Sequence, residues 1–143
     1  MLRPWPCLIF IAAFVVPSSA GAQTAGLDSS LVTHPTLVLQ QIVEHLPHGE
    51  HQEIRVLTAD FKPGGQTVFH THPFPVTVYV LQGTFRLEME GTAAMTVREG
   101  EAMVMPPGVR MTGHNASQTG PLRVVVFSVS DPDTPFLDPI PSP

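Results

Sequence analysis

Two histidines one residue apart, His70 and His72, occur in the stretch FHTHPFPVTVYVLQG at residues 69–83. In an extended strand alternate side chains point to the same face, so both imidazoles face one way and Thr71 faces the other. Neutral imidazole is a ligand for zinc, copper, iron and nickel. The pair therefore predicts part of a metal site, and the remaining ligands must come from elsewhere because zinc sites in proteins commonly use three or four side chains.

The composition limits the kind of protein that surrounds this pair. The chain has 143 residues, too few for more than one ordinary domain, and 43% of them are hydrophobic, which is enough to form a core. The 16 prolines argue against long helices. The net charge of −5 provides no attraction to nucleic acid or to an anionic membrane surface, so neither is an expected partner.

The first 22 residues have the pattern of a cleavable export signal. Arg3 precedes a short apolar stretch at residues 8–16, and that stretch is shorter than the roughly 20 residues that span a bilayer. The sequence from Ala20 to Ala22 is typical of a cleavage site, and an uncleaved membrane anchor is the alternative. After cleavage the protein would be periplasmic or secreted, without membrane contact. It would also have lost Cys7, its one cysteine, which excludes disulfides and thiolate ligands.

The mature sequence alternates between short β-type runs and turns rich in glycine and proline. A flexible lead-in is expected at residues 23–35, and a proline-rich tail at 131–143 is expected to wrap the surface. The β-type runs are 36–43, 54–61, 67–72, 76–81, 84–90, 94–97, 102–105, 109–112 and 122–129. Many short strands without helical periodicity predict an all-β, single-domain antiparallel sandwich or barrel.

Two spaced motifs resemble those of the cupin superfamily. The first has the family's spacing at Gly64, His70, His72 and Gly83. The second has it at Gly100, Pro106, Gly108 and Asn115. The chain is thus similar to a small single-domain cupin over residues 36–130. This resemblance implies a jelly-roll β-barrel with a pocket inside, one bound metal ion and pairing into a homodimer.

The sequence departs from the family at two expected metal ligands. Val76 occupies the acidic position and Met111 occupies the position of the second-motif histidine. Met105 occupies an alternative acidic position that the resemblance suggests for cupins with a proline-rich first motif. Thioether sulfur is a soft ligand that favours Cu(I), so one hypothesis is a copper site formed by His70, His72, Met105 and Met111.

The ligand set leaves alternatives open. His114 is a further candidate if Gly113 forms a β-bulge that turns the imidazole inward. The ion could instead be zinc, iron, nickel or manganese, held by the two histidines with water or an unassigned ligand. It could also be absent, with the methionines filling the core. The histidines at 45, 48 and 51 are interpreted as a solvated loop.

The expected function is that of an exported small cupin that binds a metal ion, a small and mostly hydrophobic ligand, or both, inside the barrel. No catalytic residue is assigned, because iron oxygenases of the two-histidine type need a carboxylate that this sequence does not supply. A metal-dependent cupin enzyme of the dioxygenase or isomerase type is the alternative. A metal-free barrel with a structural or ligand-binding role is the third.

Overall fold

The computed structural model describes residues 33–141, so the predicted signal peptide lies outside the described residues. The chain divides into two units after Pro35, and the second unit, Thr36–Pro143, contains the described strands. These are β1 (Glu53–Phe61), β2 (His70–Thr71), β3 (Val76–Gln82), β4 (Thr84–Met89), β5 (Met95–Arg98), β6 (Ala102–Met105), β7 (Met111–Asn115), β8 (Leu122–Ser130) and β9 (Asp138–Pro139). No helix of residues 33–141 is long and apolar enough to span a membrane.

The strands form two antiparallel sheets that share one hydrophobic core. The first sheet has the order β1-β8-β3-β6 and the second has the order β5-β4-β7-β2-β9. Buried side chains from both sheets make up the core, namely Val76, Val78, Val80, Phe85, Leu87, Val97, Met103, Met105, Met111, Leu122, Val124 and Val126. This arrangement confirms the predicted all-β jelly roll.

The burial of β3 and β4 follows the alternation in their sequences. Val76, Val78 and Val80 are almost completely buried, whereas Thr77 and Tyr79 between them are half-buried on the outer side. On β4, Phe85 and Leu87 are buried, whereas Arg86 and Glu88 are exposed. A period of two along each strand therefore accounts for which side chains of this hairpin enter the core.

Two residues of the second motif hold nearby segments of the chain in place. The Asn115 amide donates hydrogen bonds to the carbonyls of Lys62 (3.1 Å) and Gly120 (2.8 Å), and its oxygen accepts one from the Ser117 N–H (3.0 Å). The Gly108 N–H donates to the His72 carbonyl at 2.8 Å. Because Asn115 is buried, these bonds also satisfy a polar side chain that would otherwise be costly to bury.

The run at 36–43, predicted as the first strand, forms no strand in the structure. Leu37, Val38 and Ile42 are 72%, 50% and 96% exposed, so they contribute little to the core. A β-type composition does not suffice here because a strand needs a hydrogen-bonded neighbour. The edge strand β6 pairs with β3 alone, and the run forms no strand ladder with it.

The proline-rich tail does more than follow the surface. Residues Asp138–Pro139 form β9, which pairs with β2 through His70↔Pro139 and Thr71↔Asp138. Proline is acceptable in this position because β9 is an edge strand and needs no donor on its outer side. The tail therefore completes the sheet that carries the first histidine.

The hairpin between β3 and β4 requires a glycine at position 83. Gly83 has φ +85°, and an added Cβ would lie 2.6 Å from the carbonyl oxygen of Pro121. Gly91 has a similar φ of +79° but no atom within 4 Å of an added Cβ. A residue with a Cβ would be strained by the positive φ at either position, but it would overlap a neighbouring atom only at position 83.

We expect Gly83→Ala to lower the free energy of unfolding by more than Gly91→Ala does. The left-handed conformation alone costs roughly 1–2 kcal/mol for a residue with a Cβ. Overlap with Pro121 should add roughly 1–3 kcal/mol at position 83. Urea unfolding of both variants measures the difference, and equal losses would contradict the steric role of Gly83.

Candidate metal centre

The two histidines of the first motif lie side by side in the interior. His70 belongs to β2 and His72 follows the end of that strand, and their side chains are only 4% and 1% exposed. β2 lies between β7 and β9, with Met111 directly opposite His70 on β7. The predicted common orientation of the two rings is the arrangement found.

Each ring has one nitrogen bound to a backbone carbonyl. His70 Nδ1 lies 2.7 Å from the carbonyl oxygen of Val68, and His72 Nδ1 lies 2.7 Å from that of Phe136. A carbonyl oxygen can only accept, so Nδ1 carries the proton in both rings. In the neutral form of each ring the lone pair is therefore on Nε2.

The two Nε2 atoms face each other at 3.1 Å. Two lone pairs at this distance repel unless a cation, either a proton or a metal ion, lies between them. Two imidazole nitrogens bound to one metal ion at about 2.0–2.1 Å each are no more than about 4.2 Å apart. The observed separation lies within that limit, so the pair fits the binding of one ion.

Burial lowers the pKa of the His72 imidazole below its usual value of 6.5, because the charged form loses hydration. The Phe136 carbonyl acts in the opposite direction by accepting the Nδ1 proton, and the neighbouring His70 lowers the pKa further. The net effect keeps His72 neutral at near-neutral pH. A neutral imidazole is the form that ligates a metal.

A cavity of about 100 Å³ adjoins the two rings. Its lining residues are Ala59, Phe61, Thr67, His70, His72, Val78, Phe85, Leu87, Met105, Gly113, Val124, Val126, Phe136 and Leu137. The only polar side chains in that set are Thr67 and the two histidines, and the Thr67 hydroxyl already accepts a hydrogen bond from the Gly113 N–H at 3.0 Å. The interior is thus an apolar space with one polar corner.

The two candidate methionines occupy different places around this corner. Met105 is 5% exposed and lines the cavity together with both histidines. Met111 is completely buried and lies across the ladder from His70, but it is not one of the cavity-lining residues of the described chain. Both side chains belong to the hydrophobic core, into which the two histidines also point.

His114 lies on the outer face, and the alternative of a bulge that turns it inward is wrong. The burial of β7 alternates without interruption, with Met111 and Gly113 inside and His114 outside. His114 Nε2 lies 3.4 Å from a carboxylate oxygen of Glu88 on the outer side of β4. Gly113 has a different role, because an added Cβ would lie 2.6 Å from the Phe85 ring.

Among the described residues, no acidic side chain joins His70 and His72 to form a three-ligand metal site. Within residues 33–141, no group of three or more histidine, cysteine, aspartate or glutamate side chains could hold a metal ion. Glu88 is on the outer face beside Arg86 at 2.8 Å, and the three loop histidines at 45, 48 and 51 are exposed. Any further protein ligand from the described residues must therefore be of another type, such as a thioether.

The sequence reasoning missed the contribution of Phe136. Its carbonyl holds His72, and its ring contacts the His72 ring edge-on with centroids 5.0 Å apart. The available signal was the apolar pair Phe136-Leu137 inside a proline-rich segment. Two adjacent large apolar residues in a tail indicate a segment that packs against the body of the protein.

Comparison with known proteins agrees with this architecture. The family model described as "Cupin domain" matches residues 57–128. A putative germin-like protein 3-2 of Oryza sativa subsp. japonica is 30% identical over 119 residues, covering 80% of this chain and 53% of that protein. Germin-like protein 1 of Brassica napus is 29% identical over 143 residues, covering 94% of this chain and 66% of that protein.

Among solved structures, a cupin-like protein from Thermotoga maritima superposes with a TM-score of 0.53 at 24% identity, covering 62% of this chain and 65% of that one. This likeness concerns the fold. The chain belongs to the cupin family. It spans about half to two thirds of the length of the two germin-like relatives named above.

Because the pKa of His72 is lower in the folded protein than in the unfolded chain, the unfolded chain binds more protons below about pH 6.5. We expect the contribution of His72 to stability to be complete above that pH and to be lost as the pH falls through the folded pKa. The metal-free protein should therefore lose stability on acidification, by about 1.4 kcal/mol per unit of pKa difference.

Urea unfolding at pH 7.5 and at lower pH, compared between the wild-type protein and His72→Gln, measures this effect. The variant should lose less stability on acidification than the wild-type protein. His48→Gln, at an exposed loop position, is the matched control and should follow the wild-type profile. Identical profiles for all three proteins would contradict the lowered pKa of His72 in the folded protein.

Proposed function

We propose that this cupin binds one transition-metal ion inside the barrel through Nε2 of His70 and Nε2 of His72. The observation that carries the proposal is the pair of Nδ1 hydrogen bonds to backbone carbonyls, which leaves two Nε2 atoms 3.1 Å apart in a buried pocket. Fixed tautomers of this kind are characteristic of metal-ligating histidines.

We further propose that the ion is copper and that thioethers supply the remaining protein ligands. Met105 supports this because it lines the same cavity as both histidines, and Met111 because it lies opposite His70. A set of two imidazoles and two thioethers is soft, so it favours Cu(I) over hard ions such as magnesium or manganese. Zinc, iron, nickel or manganese on the histidine pair is the alternative, and the metal-free barrel remains the third.

The same pocket supports binding of a small ligand more than turnover of a large substrate. Its volume of about 100 Å³ is below the roughly 300–1,000 Å³ typical of pockets for drug-sized molecules. The bound molecule would have few atoms and would be mostly apolar. A dioxygenase or isomerase activity is the second candidate, supported by the retained histidine pair. Oxygen consumption or isomerisation by the metal-loaded protein would favour this candidate.

The metal proposal predicts a selective effect of the methionines. Met105→Leu and Met111→Leu should each weaken Cu(I) binding at least about tenfold, equivalent to about 1.4 kcal/mol, and change Zn(II) binding much less. Titration of the metal-free, untagged protein against a competing chromophoric chelator measures both affinities. Met103→Leu is the matched control, since Met103 is a buried residue of β6 that does not line the cavity and lies opposite Val78 rather than a histidine.

Two results would count against the proposal. Absence of stoichiometric metal, with unchanged thermal stability after addition of copper, zinc, iron or nickel, would reject metal binding altogether. An equal loss of Cu(I) and Zn(II) affinity in the methionine variants, or no loss, would reject the thioether ligands and leave the histidine pair in place.

We also propose that the protein is exported and forms a homodimer. Export rests on the signal pattern of residues 1–22. The dimer rests on the outer-sheet patch, which we define as Ile54, Val56, Thr77, Val104 and Phe127 on the outward face of the first sheet. Ile54 and Val56 are each 65% exposed and Phe127 is 41% exposed. This mostly apolar patch across neighbouring strands suits a second copy, because homodimer interfaces are more apolar than other surfaces.

Native mass spectrometry of protein exported from a bacterial host tests both points. The subunit should begin at Gln23 and the main species should be a pair of subunits. Val56→Glu should shift the species to single subunits, whereas Thr92→Glu, at an exposed turn outside the patch, should not. A subunit that retains residues 1–22 would reject cleavage, and a monomeric wild-type protein would reject the dimer.

A further inference from the structure

The C-terminal segment at residues 134–140, which we call the tail strap, reaches from the end of the first sheet to the edge of the second. We propose that the tail strap is a positioning element of the metal site, which holds His72 in its ligating orientation and closes the pocket. This inference rests on the proposed binding of metal by the histidine pair.

Three attachments hold the strap in place. Arg55 donates a hydrogen bond from its guanidinium to the Thr134 carbonyl at 2.7 Å. At the other end, the Ile140 N–H donates to the Phe69 carbonyl at 2.9 Å. Between them β9 pairs with β2. The β9–β2 pairing reaches the backbone of His70, but the attachments at Arg55 and Ile140 involve neither histidine, so they can be altered without replacing a ligand.

Between these attachments the strap contacts the site directly. The Phe136 carbonyl accepts the Nδ1 proton of His72 at 2.7 Å, and the Phe136 ring packs edge-on against the imidazole. Phe136 and Leu137 also line the cavity. The strap therefore provides both the acceptor that fixes the His72 tautomer and part of the apolar wall that separates the pocket from solvent.

The two histidines depend on the strap to different degrees. His70 Nδ1 is held by the Val68 carbonyl, only two residues away on its own segment. His72 Nδ1 is held by a carbonyl 64 residues away in the sequence. Release of the strap should therefore free the His72 ring to rotate or change tautomer and should leave the His70 hydrogen bond intact. His70 is an internal control for His72 in the same molecule.

Loss of the hydrogen bond between His72 Nδ1 and the Phe136 carbonyl should weaken metal binding by about 10–100-fold. This is the usual effect of removing a partner that orients a ligating histidine. A purely structural role of the tail would lower stability without selectivity between the two rings. The state of each Nδ1 proton distinguishes these two roles.

The experiment uses two pairs of variants in the full protein. Ile140→Pro removes the N–H donor to Phe69, and Ile140→Ala keeps that donor while shortening the side chain. Arg55→Met removes the donor to Thr134, and Glu53→Gln weakens the Arg55–Glu53 ion pair (2.7 Å) while keeping Arg55. Zn(II) affinity is measured with a competing chelator, and the imidazole nitrogens are observed by long-range proton–nitrogen NMR of the zinc-loaded protein.

The expected result is a 10–100-fold loss of Zn(II) affinity in Ile140→Pro and Arg55→Met, with a change below about threefold in their controls. The His72 Nδ1 proton signal should be lost to solvent exchange while that of His70 persists. Unchanged affinity and unchanged signals in variants that remain folded would overturn the role of the strap. A wild-type protein that binds no zinc and no copper would instead overturn the proposed function itself.

Discussion

A histidine can direct a nitrogen lone pair into a dry interior only if its other ring nitrogen finds an acceptor. Here two backbone carbonyls, of Val68 and Phe136, provide the acceptors for His70 and His72. This pair of hydrogen bonds brings the Nε2 atoms to 3.1 Å from each other. Much of the surrounding structure maintains that arrangement: β7 and β9 flank β2, and Gly108 holds the His72 carbonyl in place.

The chemistry available to the pair depends on what surrounds it. A carboxylate beside two histidines would make a hard, oxygen-activating site, whereas the described core offers valines, phenylalanines and methionines. Such walls bury both imidazoles, lower the pKa of the His72 imidazole and adjoin a cavity of about 100 Å³. These properties support the proposed retention of a soft ion or of a small apolar molecule more than the reaction of a large substrate.

The sequence predicted most of the fold because burial alternates with a local period of two. The inward positions of β3 and β4 and the common face of the histidines all follow from that period. The same rule gave the outward orientation of His114, and the bulge at Gly113 that would have reversed it does not occur. The prediction failed at residues 36–43, where a strand-like composition was not matched by hydrogen-bond pairing with a neighbouring strand.

The sequence by itself determined the family, the strand pattern and the adjacency of two imidazoles, since these depend on neighbours within a few residues. Only the tertiary structure decided which carbonyl holds His72, how large the cavity is and which methionine lines it. Phe136 lies 64 residues from His72, and no local spacing encodes such a contact. The contact exists because β9 pairs with β2 and carries the tail across the pocket, and strand pairing of this kind is set by the packing of the whole barrel.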